Sequence, residues 1–515
     1  MESPGIGNYP LTEIPQKIIE NQTLAIDNMT GATVTSAAIK SAVSETVKQA
    51  GVDPKDFSNE IEQDVKNTGD IIQLKTDVLV IGGGGAGMSA AIESSNAGAD
   101  VILLEQNDYL GGDTGRAGGG IEAAGTETQK SHGVEDSPEA FSKHIRSRGI
   151  KYKNENLLDI MTKKSSDSIK FLQSLGADMD GLVGGHGTDA PRAHRPKEGP
   201  AGLGITTPMI KKLEEQGVKI LKGTRGYELV TDGDKVIGAK AVHDKSGQEY
   251  QIEADATVMA TGVFASNNKL VTKYNPRLEG FGTNSSAGST GEGMLMAMDV
   301  GADTENMEVM RAPTNFPKKA TGAIAVDQDG KRFMPEFSVE DQIWIEGNDP
   351  HVKAVENREE KYYWAIVDQD EFERNYAALS PYLIPNRYIE SETVEGLAKE
   401  MNVDSSILDE TIKNWNTMVE NNKDTDFNRE ELEDKINTGK FYAIKITPTV
   451  HDTAGGIRIN EKTEVLNKEN KPIIGLYAGG EVVGGVHDGV SAVCNAITFG
   501  RITGQNAAAY SLEQK

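Results

Sequence analysis

The clearest hydrophobic signal along the chain is the run Val78-Leu79-Val80-Ile81, which enters Gly82-Gly83-Gly84-Gly85-Ala86-Gly87 and continues as Met88-Ser89-Ala90-Ala91-Ile92. The pattern predicts a strand, a glycine-rich turn and a helix. A second strand, Asp100-Val101-Ile102-Leu103-Leu104, ends at Glu105. Short strands are predicted at 218–221, 227–230, 236–242, 249–252 and 256–260, broken by Asp232-Gly233-Asp234 and Lys245-Ser246-Gly247. The strand–glycine pattern returns in Val258-Met259-Ala260-Thr261-Gly262 and again in Gly475-Leu476-Tyr477-Ala478-Gly479-Gly480-Glu481, followed by a helix over 495–509. Near the front, residues 37–50 predict an amphipathic helix closed by Gly51, with a polar linker after it. Residues 285–445 differ, carrying many charges and all three tryptophans, Trp344, Trp364 and Trp415.

Composition narrows the class. With 515 residues, 37% hydrophobic and 26% charged, the chain suits two or three globular domains. A net charge of −26 argues against nucleic acid and anionic membranes as partners. No apolar run is long enough to predict a membrane span. The single Cys494 excludes an intrachain disulfide and a cysteine metal cluster, and no metal site is expected.

Gly82, Gly84 and Gly87 satisfy G-x-G-x-x-G between a strand and a helix. Gly82 permits the tight turn, Gly84 lets the backbone approach a pyrophosphate, and Gly87 lets the helix pack on the strand. Glu105 lies where a ribose hydroxyl needs an acceptor. Glycine-dense stretches at 82–87, 111–120 and 479–489 predict one extended cofactor touched from several places, which favours FAD over NAD.

These residues carry a family resemblance over essentially the whole length. Its carriers are the 82–87 turn, Glu105, Gly111-Gly112-Asp113-Thr114, Arg192-Ala193-His194-Arg195-Pro196 and Ala260-Thr261-Gly262. Gly288-Ser289-Thr290-Gly291-Glu292-Gly293, Asp329-Gly330-Lys331-Arg332-Phe333 and Leu476-Tyr477-Ala478-Gly479-Gly480-Glu481 complete them. In combination they resemble the flavocytochrome c, fumarate reductase and urocanate reductase flavoproteins. The resemblance implies an α/β fold in which a Rossmann-like FAD-binding domain is interrupted by an α+β capping domain. The expected boundaries are a partial FMN-binding domain at 1–58, a linker at 59–74, FAD-binding parts at 75–284 and 447–515, and a cap at 285–446. FAD, held non-covalently, is expected on Gly82, Gly84, Gly85, Ala86 and Gly87, on Glu105 and Gln106, and on Gly111, Gly112, Asp113 and Thr114. Gly118, Gly119 and Gly120, then Ala260, Thr261 and Gly262, and finally Gly480, Glu481, Asn495, Ala496 and Ile497 complete that set. Asp27-Asn28-Met29-Thr30-Gly31-Ala32-Thr33 resembles a flavinylation sequence, which implies FMN linked by phosphoester to Thr33 in the full-length protein by a flavin transferase. The segment reads as truncated at its front.

The site departs from the family. Where the resemblance implies a proton-donating Arg, this chain has Glu340 in Ser338-Val339-Glu340-Asp341. Where it implies a carboxylate-binding Arg, Val486-His487-Asp488-Gly489-Val490 leads to Ser491. The family His becomes Ala312, with Phe316 shortly after, and one ligand survives, His451. Loss of that positive field disfavours a dicarboxylate, unless Arg311, Arg192 or Arg195 has taken its place. Glu340 and His451 are the catalytic candidates, each with a structural alternative, and Ala312, Phe316, Ser491 and Asp488 are the substrate-binding candidates. The expected activity is FAD-dependent reduction of an activated C=C bond in a small acceptor other than fumarate, such as an enone or aromatic acrylate. Hydride from flavin N5 and a proton from a side-chain acid complete the reaction. The alternatives are a ketosteroid-dehydrogenase-like enzyme that introduces a C=C bond, and a flavin electron-transfer module. The expected electron donor is a reduced flavin or a quinol-linked chain. The full-length protein is expected outside the cytoplasm or at the cell envelope, its leader absent here, with the cytoplasm as the alternative.

Overall fold

The computed structural model describes residues 8–24, 26, 33–57, 67–147, 154–184, 190–314, 316, 320–336, 349–380, 387–486 and 491–515. The chain forms two compact units. The larger comprises Glu2–Asn267, Ser285–Val309 and Asp452–Lys515, and the smaller Asn268–Asn284 and Met310–His451.

The larger unit is built on an eight-stranded sheet. Its centre is the strand Ile72–Ile81, parallel to Val101–Leu104 on one side and to Glu249–Met259 on the other. Residues 76–81 are buried without interruption, which is why Val78–Ile81 reads as a continuous apolar run and not as alternation. The strand Pro472–Ala478 returns from far along the chain and pairs parallel with Glu249–Met259. The two strands expected at 249–252 and 256–260 are one strand of 11 residues. Its polar Glu253 and Asp255 look like a break in sequence, but they lie on a ribbon paired with both Lys235–His243 and Ile72–Ile81.

Two helices cover the glycine turn. Gly85–Asn96 follows the turn directly, and Ala492–Glu513 lies against it. A Cβ on Gly500 would lie 2.4 Å from the Ala86 carbonyl oxygen, and one on Gly504 2.3 Å from that of Ala90. The two glycines, one helical turn apart, let the backbones touch along a seam. Each costs about 1 kcal/mol of helix propensity, offset by that contact. Ser285–Val309 belongs to this unit, not to the inserted one as its position after residue 284 suggested. The reason is local: its Gly288 approaches Gln106, its Gly293 approaches Thr261, and its helix Glu292–Asp299 packs against the strand Thr224–Asp232.

The smaller unit has a four-stranded antiparallel sheet in the order Ile324–Val326, Tyr363–Asp368, Phe441–Ile446, Tyr388–Ser391. Trp364 and Trp415 anchor its core. Beside them Arg332 bridges Glu336 and Asp424, each at 2.8 Å, and stacks over Trp415 and Phe427. Burial works against both charges, but Arg332 holds the Asp424 carboxyl down at about 2. The Gly330-Lys331-Arg332-Phe333 motif therefore ties this unit's core together.

Candidate functional site

The strand Ile72–Ile81 delivers the chain into a cleft of about 850 Å³. Gly82 turns with φ +107°, and a Cβ there would lie 2.3 Å from the Ala260 carbonyl oxygen. A Cβ on Gly87 would lie 1.8 Å from the Gly82 carbonyl oxygen, so the helix needs glycine to sit this close. At Gly84 a Cβ would meet no protein atom within 4 Å, and Gly84 lines the cleft. Gly84 is also the N-cap of Gly85–Asn96 and has no side-chain cap, which leaves the first-turn N–H groups available to an anion.

Of the expected cofactor residues, Gly82, Gly84, Gly85, Ala86, Glu105 and Gln106 line the cleft. So do Gly112, Asp113, Thr114, Ala260, Thr261, Gly262, Glu481 and Ala496. The others stand behind it. Gly111 donates its N–H to the Gly83 carbonyl at 2.8 Å, Gly120 faces the His194 carbonyl, and Gly480 is pressed against Ala86. Gly87 and Ile497 are buried supports. Gly118 and Gly119 neither line the cleft nor have a close neighbour requiring glycine. Asn495 is fully buried one residue before Ala496, and neither atom of its side-chain amide has a hydrogen-bond partner. Thr261 Oγ1 is likewise buried at the cleft wall without a hydrogen-bond partner. An open phosphate approach, an uncapped helix and unsatisfied polar atoms fit a long dinucleotide such as FAD.

Glu105 does more than the fingerprint implies. Its Oε2 accepts from Gly83 N at 2.8 Å, and its Oε1 from Asn107 N and Nδ2 at 2.7 Å each. Burial pushes its carboxyl up, while these bonds favour the charged form. It shapes the glycine turn, and Oε2 keeps a lone pair for a hydroxyl. Residues not assigned to the cofactor from sequence also line the cleft: Thr224, Arg225, Ser286 and Gly288–Gly293. Asp113 accepts from Ser286 N at 2.5 Å and from Ser289 Oγ at 2.6 Å, which folds this segment over the opening. The glycine spacing of 288–293 was the available signal.

In the smaller unit, Arg311–Pro313 runs beside Thr449–His451: His451 N donates to the Arg311 carbonyl at 2.9 Å and Thr449 N to that of Pro313 at 3.2 Å. Ala312 and His451 are therefore neighbours. His451 Nδ1 lies 2.7 Å from Asn284 Oδ1, an oxygen that only accepts, so this contact orients the ring with Nδ1 toward Asn284. Ala312 is buried, and buried Phe316 stacks on Tyr363 with ring centroids 6.4 Å apart. In the larger unit, Ser491 is buried immediately before Ala492–Glu513. Glu340 and Asp488 lie outside the described residues. Thr33 is the first residue of the helix Thr33–Gln49.

Arg192 is not a substrate arginine in waiting. It is fully buried and makes a two-point ion pair with Asp136 at 2.7 Å through both Nε and Nη2. His194 is held between Thr126 Oγ1 and the Arg192 carbonyl. That motif supports the strand Pro191–Arg195.

Residues 77–495 match the family described as FAD binding domain, and residues 1–48 the one described as FMN-binding domain. The chain belongs to the flavocytochrome c, fumarate reductase and urocanate reductase family of flavoproteins. It is 34% identical over 455 residues to a fumarate reductase (cytochrome) of Shewanella frigidimarina, covering 84% of this chain and 77% of that one. It is 30% identical over 537 residues to a urocanate reductase of Eggerthella lenta, covering 99% and 87%. The structure of the open conformation of a flavocytochrome c3 fumarate reductase matches with TM-score 0.77 at 31% identity, covering 89% and 84%. The α/β class follows, and this flavoprotein is an FAD-dependent oxidoreductase acting on carbon–carbon double bonds. No helix among the described residues is long and apolar enough to cross a membrane.

Proposed function

We propose that this flavoprotein reduces the activated C=C bond of a small acceptor lacking a second carboxylate, an enone or an aromatic acrylate. The observation that carries this reading is buried Ala312 beside His451, with Phe316 stacked on Tyr363 a few residues on. An apolar wall replaces the cationic one that a dicarboxylate requires. Bound FAD supplies the hydride. The smaller unit acts as the cap that excludes water. His451, oriented by Asn284 through Nδ1, presents Nε2 to a substrate carbonyl or carries the proton there, and Glu340 is the second candidate acid. Thr33 carries FMN by phosphoester, and an external reduced donor feeds electrons through it.

An acrylate, which keeps one carboxylate, is the alternative to an enone within this reading. It is favoured by Arg311, whose carbonyl accepts from His451, and by the urocanate reductase among the relatives. Arg192 cannot serve because Asp136 holds it.

The test is oxidation of reduced viologen against a panel of fumarate, urocanate, acrylate, cinnamate and cyclic enones. Turnover fastest with an acceptor other than fumarate is expected, and turnover fastest with fumarate overturns the proposal. Arg311→Gln separates the two: it raises KM for acrylates and leaves enones unaffected.

A further inference from the structure

The segment matching an FMN-binding domain and the FAD cleft share a joint. Buried Ile14 and Ile26 form a cluster with Tyr109, and Ile18, Ile39 and Leu203 pack around it. Tyr109 opens the loop that lines one wall of the cleft, and Leu203 belongs to the helix Ala201–Glu215 that backs that loop. In the loop, Leu110 packs on Gly83, the Gly111 N–H bonds the Gly83 carbonyl, and Asp113 and Thr114 line the cleft. Leu203 follows Gly202, which abuts the Thr114 and Gly115 carbonyls so closely that a Cβ would lie about 2.5 Å away. Ser286 N bonds Asp113 on the far side of the same wall.

We propose that the helices Asn8–Asn21 and Thr33–Gln49 back the wall of the FAD site formed by the Tyr109–Thr114 loop, and that Tyr109 is the positioning residue coupling their docking to FAD binding. The N-terminal helices clamp the Tyr109–Thr114 loop from outside while the cofactor holds it from inside. Each event then strengthens the other, and thermodynamic linkage makes the coupling equal in both directions. Ile39 in this cluster lies six residues into the helix that begins at Thr33, about 9 Å along its axis. The docking therefore gives that position a fixed place beside the FAD wall and not a place on a tether. The coupling does not depend on which acceptor is reduced or on whether Thr33 carries FMN.

Hydrogen exchange of the whole chain, with and without FAD, tests this. Amides of Asn8–Asn21 and Thr33–Gln49 should exchange about tenfold more slowly when FAD is bound. In Tyr109→Ala, which takes the ring out of the cluster, this protection should fall close to nothing and the FAD dissociation constant should rise about three- to tenfold. Gly85–Asn96 should remain protected by FAD. Ile14→Ser, far from the cleft, should weaken FAD binding and add little further in combination with Tyr109→Ala. Exchange in the two helices that ignores FAD, protection that survives in Tyr109→Ala, or an Ile14→Ser chain with unchanged FAD affinity each overturns the proposal.

Discussion

Gly84→Ala separates binding from folding. Gly84 has φ −77° and ψ −171°, an extended backbone that alanine adopts without strain. The added methyl meets no protein atom within 4 Å. Folding should be unaffected, or favoured by a few tenths of a kcal/mol through the stiffer unfolded chain. The methyl does enter the space where a pyrophosphate must approach the uncapped N–H groups of Gly85–Asn96. Charge-assisted hydrogen bonds of that kind contribute about 1.5–3 kcal/mol each. Pushing the phosphate off one or two of them costs about 3 kcal/mol, which is roughly a hundredfold in dissociation constant. Gly87→Ala, three residues on, is the contrast, because its methyl would lie 1.8 Å from a backbone oxygen. That variant should lose fold stability first. Apoprotein melting temperature and FAD titration by calorimetry read the two effects separately. A Gly84→Ala chain that binds FAD with native affinity would refute the placement of the pyrophosphate at this turn.

Three further outcomes follow from the buried charges and from His451. Arg192→Met leaves the Asp136 carboxylate buried and unpaired, and should destabilise the fold by about 3–5 kcal/mol in denaturant melts with KM unchanged; a raised KM at native stability contradicts the structural role. His451→Asn should lower kcat by about 10²–10⁴-fold while FAD content stays constant, and an unchanged kcat removes His451 from the chemistry. Asp349, buried beneath the helix it caps, titrates at about 6 against a usual 3.8 because burial disfavours its charge. Its protonated form is favoured in the folded state, so this stability is complete below about pH 3.8 and lost as pH rises through about 6. Relative to Asp349→Asn, the native chain should lose roughly 3 kcal/mol between pH 3.5 and pH 7 in pH-resolved thermal melts, and a pH-independent difference would contradict it.

The cofactor cleft was largely legible because glycine is informative where backbone meets backbone. A Cβ on Gly82 or Gly87 would lie within 2.3 Å of a backbone carbonyl oxygen, so their spacing encodes the turn directly. What stayed hidden depends on long-range pairing. Nothing local in Glu253-Ala254-Asp255 says that the strand continues, since two neighbouring strands satisfy it. In 285–309 the glycine spacing of 288–293 marks a close approach but not that its partners are Gln106 and Asp113. The 192–195 motif was read as a possible source of an anion-binding arginine, yet Arg192 is bound to an acid 56 residues earlier. Ala312 was legible as an apolar replacement, but its adjacency to His451 comes from strand pairing across the unit.

The seam of Gly500 and Gly504 on Ala86 and Ala90 bears on how the protein is made. Ser94 Oγ donates to the Gly504 carbonyl across 410 residues of chain, and Pro472–Ala478 joins a sheet begun by Ile72–Ile81. The glycine turn therefore leaves the ribosome long before the strand and helix that back it. The cradle has to wait, with the Thr257–Met259 end of the neighbouring strand lacking its Pro472–Ala478 partner, while the whole intervening unit is synthesised. Non-local closure of this kind slows folding and lengthens the exposure of apolar strand edges. Cofactor capture is thus a late event in biogenesis, and translation speed through the inserted unit sets how long the waiting half is open to aggregation and to chaperones.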